Sequence, residues 1–472
     1  MASSSPATGF EHFGHKIYST VNQNNNQNVF LSPASIALAM AMCSAGARQE
    51  TLKQMLDVLD ASSIESLTKT AEQVMQVFSI ADQDTQVKLK LANRLYAQNS
   101  YKLQQDYIDL VQGSFKADIK LEDFVNNSAA VVQTINTWVE DRTNNLIQNL
   151  LSQNDVTRDT RLIIINCIYF KGTWRKQFEE RSTNENADFH EASGNVSKVK
   201  LMFTKEKYLY GENKDLRVQI AHLPYKSDNT HVQFVFTVIL PEKGVSLDSV
   251  EQKLSSKPQL LQQILNDGYT RTEELLLYLP KFKMEASFEL SDVLKKLGMV
   301  NAFSDSAADF TGIVSKKDDP AGLYVSKVIH KAFIDVNEKG SEAAATTAIR
   351  LTKRRRLASD IKLVEFKVDR PFIFMIRESH NNITFFSGKF LSVPLSYYKR
   401  ALRKIDVIFL DELGSEAAAA TAVIMATKSI SFRPKPSPIE FKADRPFLFY
   451  IRETRQNLTL FTGKFLTPTN FS

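Results

Sequence analysis

The residues with the most distinctive chemistry in this chain are four consecutive basic ones, Lys353, Arg354, Arg355 and Arg356. A basic cluster is usually a solvated face or a nucleic-acid patch. Its charged groups also fit a protease whose primary pocket holds a carboxylate. Such a pocket removes water from the basic side chain but pairs its positive charge with the carboxylate. The net charge of +6 is otherwise spread along the 472 residues, which argues against a general nucleic-acid or membrane-surface role.

No set of residues in the sequence has the spacing of a catalytic or metal centre. His330 could serve as a base, but no nucleophile motif accompanies it. The two cysteines, Cys43 and Cys167, both lie in apolar sequence, which predicts buried free thiols rather than a disulfide or a ligand pair. We therefore expect a protein that is not an enzyme and that uses no metal or other cofactor.

The segment before the basic cluster has an unusual composition. Residues 340–348 read GSEAAATTA and contain no bulky, aromatic or proline residue. Such a segment can slide between two existing strands without a steric clash or a missing backbone donor. Taken alone, the same composition is equally typical of an alanine-rich helix or a flexible linker.

The carboxyl-terminal part of the chain contains an internal repeat. Residues 365–391 and 440–466 are identical at 18 of 27 positions, and residues 340–348 and 414–422 at 8 of 9. A solenoid needs at least three similar units, so two copies at one end indicate a duplicated terminus. Between these pieces the copies diverge, with IRLTKRRRLASD in the first and VIMATKSISFRPKPSP in the second. Near-identical flanks around a divergent middle are typical of interchangeable specificity loops.

Residue periodicity predicts the elements that must hold these segments. Apolar residues recur at helical spacing over 33–59, with Ser32 as the N-cap. Residues 162–170 are apolar on both faces and β-branched, as in a central strand of a large sheet. Further strands are predicted at 232–240 and 275–279, each ended by a proline. Early helices and later strands together indicate an α+β fold.

Five stretches of the sequence resemble the serpin family. They are spread from near the amino terminus to residue 394, and residues 1–394 amount to about one whole serpin. The stretches are NVFLSPASIALAMAMCSAGARQETLKQM at 28–55, NCIYFKGTWRKQF at 166–178, LPKFKME at 279–285, VSKVIHKAFIDVNEKGSEAAA at 325–345, and DRPFIFMIRE with its second copy. The resemblance implies the serpin fold, with helices packed on a large mixed β-sheet, smaller sheets and an exposed reactive-centre loop.

The resemblance also implies a mechanism of bait, cleavage and capture. A target protease attacks the exposed loop, an acyl-enzyme forms, and the freed hinge inserts into the sheet as a new strand before the protease can deacylate. Counting along the family pattern from Gly340 places the scissile bond at Arg354–Arg355, with Arg355–Arg356 as the nearest rival. The expected target is a trypsin-like serine protease, or a subtilisin-type processing protease that prefers dibasic sites.

Three further sets of residues are carried over from the family. The hinge, where the loop begins to insert, comprises Gly340, Ser341, Glu342, Ala343, Ala344 and Ala345. The shutter, a polar cluster beneath the point where the sheet parts, comprises Ser32, Ser35, Asn166 and His330. The breach, where the hinge first enters, comprises Trp174, Lys281 and Glu338. We expect a salt bridge between Lys281 and Glu338.

The second copy of the repeat departs from the family, which has room for one closing hairpin. Its own hinge comprises Gly414, Ser415, Glu416, Ala417, Ala418 and Ala419. The same count places its reactive bond at Lys428–Ser429. We predict a serpin domain at 1–395 with the first hairpin docked, followed by the duplicated segment at 396–472. The arrangement resembles two alternative final exons of an arthropod serpin gene read in series.

The main alternative is a non-inhibitory serpin that acts as a carrier, chaperone or storage protein. Such members tend to place bulky, charged or proline residues among the hinge alanines, and neither copy does so. The resemblance to serpins favours an extracellular monomer. Residues 1–10, however, lack the basic start and apolar stretch of a secretory signal, which makes the cytoplasm the alternative. The expected partner is the target protease, with neither nucleic acid nor membrane.

Overall fold

A computed structural model of the protein describes residues 9–23, 25–318, 322–341 and 363–393, and the backbone of short strands at 409–411, 414–416, 447–453 and 458–465. The chain divides into two compact units, residues 1–403 and 404–472. The domain boundary predicted after residue 395 falls outside the described residues and stays a prediction.

Nine α-helices lie in the described part of the chain, six of them before residue 143. They are α1 (Gly9–Asn22), α2 (Pro33–Gly46), α3 (Gln49–Leu59), α4 (Ile64–Gln83), α5 (Gln105–Ser114), α6 (Ser128–Arg142), α7 (Leu247–Ser256), α8 (Pro258–Leu265) and α9 (Ser291–Leu297). Within the described residues, none of these helices combines the length and apolar character that crossing a membrane requires.

The helix predicted over 33–59 is two helices, α2 and α3. Ser32 caps the first, as predicted, and accepts a hydrogen bond from the Ser35 backbone at 3.3 Å. The break lies at Ala47 and Arg48, whose backbones are extended, and the Arg48 guanidinium donates to the carbonyl oxygens of Ala45 at 3.1 Å and Ala47 at 2.7 Å. These carbonyls lie at the end of a helix, where no backbone partner is available, so the side chain stabilises the end there.

A six-stranded sheet contains the segment that was predicted as a buried central strand. Its strands are β2 (Val87–Gln98), β3 (Asp118–Glu122), β4 (Leu162–Thr173), β10 (Phe282–Glu289), β11 (Val325–Val336) and β12 (Gly340–Ser341). Their order is β10-β11-β12-β4-β2-β3, and β11 also pairs directly with β4. The predicted strand at 162–170 is therefore confirmed as β4.

A nine-stranded sheet packs against the same core. Its strands are β1 (Val29–Leu31), β5 (Asn184–His190), β6 (Val196–Asn213), β7 (Val218–Pro224), β8 (Phe234–Pro241), β9 (Arg271–Pro280), β13 (Val364–Lys367), β14 (Phe372–Glu378) and β15 (Ile383–Phe390). The order is β1-β15-β14-β8-β7-β6-β9-β13, with β5 paired to β6. Strands β8 and β9 confirm the strands predicted at 232–240 and 275–279.

The core between the sheets is rich in aromatic side chains. The ring of Phe30 stacks on Phe386 at 5.2 Å and on Phe374 at 5.8 Å, and all three are fully buried. Burying each such side chain contributes roughly 1.5–3 kcal/mol.

Cys43 and Cys167 are buried free thiols, which confirms that prediction, and burial raises the pKa of Cys167 to about 12. The α+β prediction is confirmed as well.

The second unit contains strands from the second copy of the repeat. The strands β16 (Phe409–Asp411) and β17 (Gly414–Glu416) pair with each other, and so do β18 (Phe447–Glu453) and β19 (Leu458–Phe465). The hairpin β18–β19 has the register of β14–β15, including the irregularity that follows Ile376 in one and Ile451 in the other. The backbone of both copies therefore folds into the same hairpin.

Candidate functional site

The candidate site is the end of the six-stranded sheet where the chain leaves β11. After Val336 a tight turn reverses the chain, with hydrogen bonds between Asn337 and Gly340 of 2.9 and 3.2 Å. Gly340 and Ser341 then run antiparallel to β4, opposite Thr173 and Gly172. The first two hinge residues already form a short strand between β11 and β4.

Only glycine fits at the start of this short strand. Gly340 has a φ of +156°, and a Cβ there would lie 1.9 Å from the carbonyl oxygen of Gly172. The hydroxyl of Ser341 is buried and lies 2.6 Å from the hydroxyl of Tyr225. The entrance to the sheet is thus shaped to hold a backbone without a bulky side chain.

Below this entrance the sheet is closed. Strands β11 and β4 pair directly in parallel, from Val325 opposite Leu162 to Phe333 opposite Tyr169. We call this contact the seam. A strand that continued from Ser341 would have to separate β11 from β4 along the seam.

The three residues predicted as the breach lie around the turn. The Lys281 ammonium lies 2.7 Å from the carboxylate of Glu338, so the expected salt bridge is present. The other oxygen of Glu338 accepts a hydrogen bond from Thr183 at 3.0 Å. The indole of Trp174 donates to the carbonyl of Asn337 at 2.8 Å. Side chains from three separate parts of the chain hold the turn in place.

Burial by itself would favour the neutral form of the Glu338 carboxyl. The hydrogen bond from Lys281, together with the contact from Thr183, nevertheless holds the pKa of Glu338 below its ordinary value. The carboxylate is therefore charged at neutral pH and its side chain is only 7% exposed. The ion pair is a specific and nearly enclosed contact rather than a surface one.

The shutter residues form one hydrogen-bonded network across the seam. His330 on β11 and Asn166 on β4 lie opposite each other, with 2.5 Å between the imidazole Nδ1 and the amide Oδ1. Ser35 donates to the same amide oxygen at 3.0 Å, and Asn166 donates to the Ser35 carbonyl at 2.9 Å. Ser32 joins the network through its backbone N–H, which donates to His330. All four predicted shutter residues are buried.

The imidazole of His330 is neutral and its tautomer is defined by its partners. Its Nε2 accepts a hydrogen bond from the Ser32 backbone at 3.1 Å, so the proton is on Nδ1 and is donated to Asn166. Burial lowers the pKa of His330 to about 3. Within the described residues, the hydrogen bonds of this ring join it to the Ser32 backbone and the Asn166 amide, and not to a nucleophile. This is the geometry of a structural histidine.

Two contributors to the site were missed from the sequence. Tyr225 stacks on Trp174 with 4.5 Å between ring centroids and contacts Ser341, and Asn93 accepts a hydrogen bond from the side-chain amide of Asn166. Tyr225 follows β7 and Asn93 lies within β2, far from the predicted site residues in sequence. No local motif marks either residue, so only the folded arrangement identifies them.

Several predicted residues lie outside the described residues. In the first copy these are Glu342, Ala343, Ala344, Ala345, Arg354 and Arg355, and in the second copy Ala417, Ala418, Ala419, Lys428 and Ser429. Gly414, Ser415 and Glu416 form strand β17, which pairs with β16. Among the described residues, no group of three or more His, Cys, Asp or Glu side chains could hold a metal ion.

Comparison with known proteins identifies the family. A sequence model described as Serpin (serine protease inhibitor) matches residues 8–393 and again residues 397–468. The chain belongs to the serpin family. This serpin is 37% identical over 361 residues to Iris of Ixodes ricinus, covering 76% of this chain and 91% of that protein. It is 31% identical over 388 residues to the leukocyte elastase inhibitor of Homo sapiens, covering 80% and 97%.

Solved serpin structures agree with the fold. Arabidopsis AtSerpin1 in its native stressed conformation aligns with a TM-score of 0.71 at 28% identity, covering 82% of this chain and 97% of that one. Thyroxine-binding globulin in complex with thyroxine aligns with a TM-score of 0.69 at 24% identity, covering 82% and 98%. Both alignments show that this chain has the fold of these solved structures.

The shutter generates a prediction about acid stability. The unfolded chain protonates histidine below about pH 6.5, while folded His330 stays neutral down to its pKa of about 3. The contribution of His330 to the free energy of unfolding should therefore be fully present above pH 6.5. Below that pH it should fall by about 1.4 kcal/mol per pH unit. His330→Gln, which keeps a donor and an acceptor, should weaken this dependence in denaturant unfolding at pH 7 and pH 5.

His222 provides the matched control for that experiment. It is also buried, with a pKa lowered to about 3, and lies in the nine-stranded sheet away from the seam. His222→Gln should reduce the acid dependence to a similar extent. An acid dependence that is unchanged in His330→Gln would contradict the assignment.

The breach generates a second prediction. Glu338→Gln should lower the free energy of unfolding by about 1–3 kcal/mol, because it leaves Lys281 without its charged partner. The difference from the unmodified protein should shrink as the pH falls through the lowered pKa of Glu338, below its ordinary value of 4.5, since the carboxylate is then protonated. Trp174 fluorescence should also change, because the turn that its indole contacts is loosened.

The control for Glu338→Gln is Asp335→Asn. Asp335 forms an ion pair with Lys283 on the neighbouring strand of the same sheet, a pair that does not include the turn residues 337–340. This variant should leave Trp174 fluorescence unchanged. Equal fluorescence changes in the two variants would mean that the Glu338 pair has no special relation to the hinge.

Proposed function

We propose that this serpin inhibits trypsin-like serine endopeptidases by presenting the loop after Gly340 as a substrate and inserting the cleaved loop into the six-stranded sheet. The observation that carries the proposal is the strand formed by Gly340 and Ser341 at the open end of the seam. This strand has the direction and position from which an inserting loop would continue, which supports the proposal.

The register of full insertion follows from these two residues. If the antiparallel pairing of Gly340 with Thr173 continues, residues 340–351 lie opposite the whole of β4. Residues 343, 345, 347, 349 and 351 are then on the face of Phe170, Ile168, Asn166, Ile164 and Leu162. Those five loop residues are Ala343, Ala345, Thr347, Ile349 and Leu351, small or apolar apart from one threonine.

Thr347, the one polar residue of this face, supports the register. Thr347 would lie opposite Asn166, at the position where insertion separates His330 from Asn166 by an additional strand. Neighbouring strands are ~4.8 Å apart, so the direct bond between those side chains would be lost. A threonine hydroxyl can both donate and accept, and it would restore partners to the two buried side chains.

Insertion also changes the type of strand pairing. It replaces the parallel contact of β11 with β4 by two antiparallel contacts, and parallel pairing is slightly less stable per residue. The inserted strand adds backbone hydrogen bonds and buries small side chains. Both changes favour the inserted form, which supplies the driving force for capture.

The proposed chemistry is ordinary serine-protease acylation that is then arrested. The protease serine oxygen forms an ester with the carbonyl carbon of Arg354, and Arg355 leaves as a new amino terminus. Hydrolysis of the ester would release the protease, and insertion must occur first. Arg355–Arg356 is the nearest alternative bond, and a dibasic-specific processing protease is an alternative target.

The second copy is proposed to carry a second reactive bond, Lys428–Ser429, that is also suited to a trypsin-like protease. We further propose an extracellular monomer that acts without a cofactor, with the cytoplasm as the alternative location. A non-inhibitory role as a carrier remains the second candidate function, supported by the structural likeness to thyroxine-binding globulin.

The insertion step predicts the outcome of a charged substitution in the hinge. The unmodified protein should form a covalent complex with trypsin that survives a denaturing gel. Ala343→Glu should abolish the complex and leave only cleaved inhibitor, because the carboxylate would be buried opposite Phe170 without a partner. Ala343→Ser, small and uncharged, should retain the complex.

The same assay locates the cleaved bond. Arg354→Ala should abolish complex formation with trypsin if Arg354–Arg355 is cut, whereas Arg355→Ala should do so if Arg355–Arg356 is cut. Cleavage of the unmodified protein without any complex would favour the carrier role. An undiminished complex in Ala343→Glu would refute insertion.

A further inference from the structure

The chain carries two closing hairpins, while the nine-stranded sheet has one place for them. That place, which we call the hairpin slot, lies between β1 and β8, where β15 pairs with β1 and β14 with β8. We propose that the hairpin slot accepts either copy, so that residues 447–465 are a second occupant built into the same chain. The proposal concerns the fold alone and holds whether or not the loop captures a protease.

The hairpin slot makes specific demands on buried charged residues. Glu378 is fully buried and accepts hydrogen bonds from the backbone of Gln233 at 2.9 Å and of Asn381 at 2.7 Å. Lys389 is 2% exposed, and its ammonium donates to the carbonyl of Asn25 at 2.9 Å and lies 3.4 Å from Glu251. An occupant without these charges would leave the partners in the hairpin slot unsatisfied.

The second copy meets both demands, because Glu453 and Lys464 stand at the positions of Glu378 and Lys389. The buried Arg377 is matched in the same way, by Arg452. The same charges therefore stand in the same order in the second copy, as the partners in the hairpin slot require. Their presence indicates that the second copy is adapted to the same surroundings.

Two further positions are restricted by close contacts. The backbone and hydroxyl of Thr384 donate to the carboxylate of Glu11 at 2.6 and 2.9 Å. At Gly388, a Cβ would lie 2.8 Å from the carbonyl oxygen of Val29 and 2.5 Å from the ring of Phe374. The second copy has Thr459 and Gly463 at these positions. Both of these restricted residues are therefore repeated in the second copy.

The two copies differ where the hairpin slot tolerates a change. Tyr450 replaces Met375, which lines a cavity of about 680 Å³ that can admit a larger ring. Leu460 replaces Phe385, whose ring packs edge-on against Phe78 at 5.3 Å. The second change loses an aromatic contact without adding a polar group. The second copy should fit, with lower stability than the first.

The second hairpin has the shape of an occupant before it enters. Strands β18 and β19 have the same register and the same irregularity as β14 and β15. A two-stranded hairpin is at best marginally stable in water, and the hairpin slot would give it a neighbouring strand on each side. The gain on entering is therefore large for whichever copy is free.

The covalent connection determines which molecule supplies the second hairpin. Attachment to the same chain gives an effective concentration in the millimolar range, far above that of a second molecule in a dilute solution. Entry of the second copy lengthens the loop after Ser341 by 75 residues, which lowers its population by on the order of tenfold relative to the first copy. The first copy is therefore the usual occupant, and the second copy enters when the first is prevented from docking.

The experiment compares three variants of the full-length chain. Gly388→Val blocks the first copy through its clash with Val29, Gly463→Val blocks the second copy at the matching position, and a third variant carries both substitutions. Hydrogen exchange followed by mass spectrometry distinguishes the hairpins, because residues 372–390 and 447–465 give peptides of different mass. Size-exclusion chromatography reports the number of chains in each particle.

The unmodified protein and Gly463→Val should protect residues 372–390 and exchange rapidly at 447–465. Gly388→Val should remain a monomer with the pattern reversed, and the double variant should aggregate or expose both hairpins. The proposal is overturned if Gly388→Val behaves like the double variant, since the second copy then cannot enter. It is also overturned if Gly388→Val forms dimers in place of monomers, because the hairpin would then come from another molecule.

Discussion

The parallel pairing of β11 with β4 is the contact on which the rest of this serpin depends. It closes the middle of the six-stranded sheet, while Gly340 and Ser341 hold its upper end apart. The sheet is closed along the seam and open at one end. We infer that the same sequence has a second arrangement, in which the loop lies between β11 and β4. In the proposed mechanism, the other residues of the site would guide the loop into this opening or hold the seam together until the loop is cleaved.

The breach and the shutter lie at different places, the breach at the turn and the shutter at the seam. The Lys281–Glu338 pair and Trp174 position the turn that delivers the hinge, and they lie at the edge of the opening. His330 and Asn166 join β11 and β4, the two strands that the proposed insertion would separate, deeper in the sheet. The proposed position of Thr347 links the two sites, because a loop residue would take over the bonds that insertion breaks.

Much of the fold followed from local sequence. The apolar β-branched run in β4 and the cap at Ser32 predicted their elements because burial and capping act over a few residues. The helical pattern over 33–59 was confirmed as α2 and α3, but periodicity does not show the break between them, where Ala47 and Arg48 are extended and the Arg48 side chain binds the last carbonyls of α2. The partners Tyr225 and Asn93 come from distant strands, and only the packed sheet brings them to the site.

The central claim is that the sheet opens along the seam and admits the segment that follows Ser341. The most direct measurement compares the melting temperature of the intact protein with that of protein cleaved within its first loop. Insertion completes the sheet with an additional strand, so the cleaved form should melt at a markedly higher temperature. Equal melting temperatures would mean that no strand had entered, and would contradict the account.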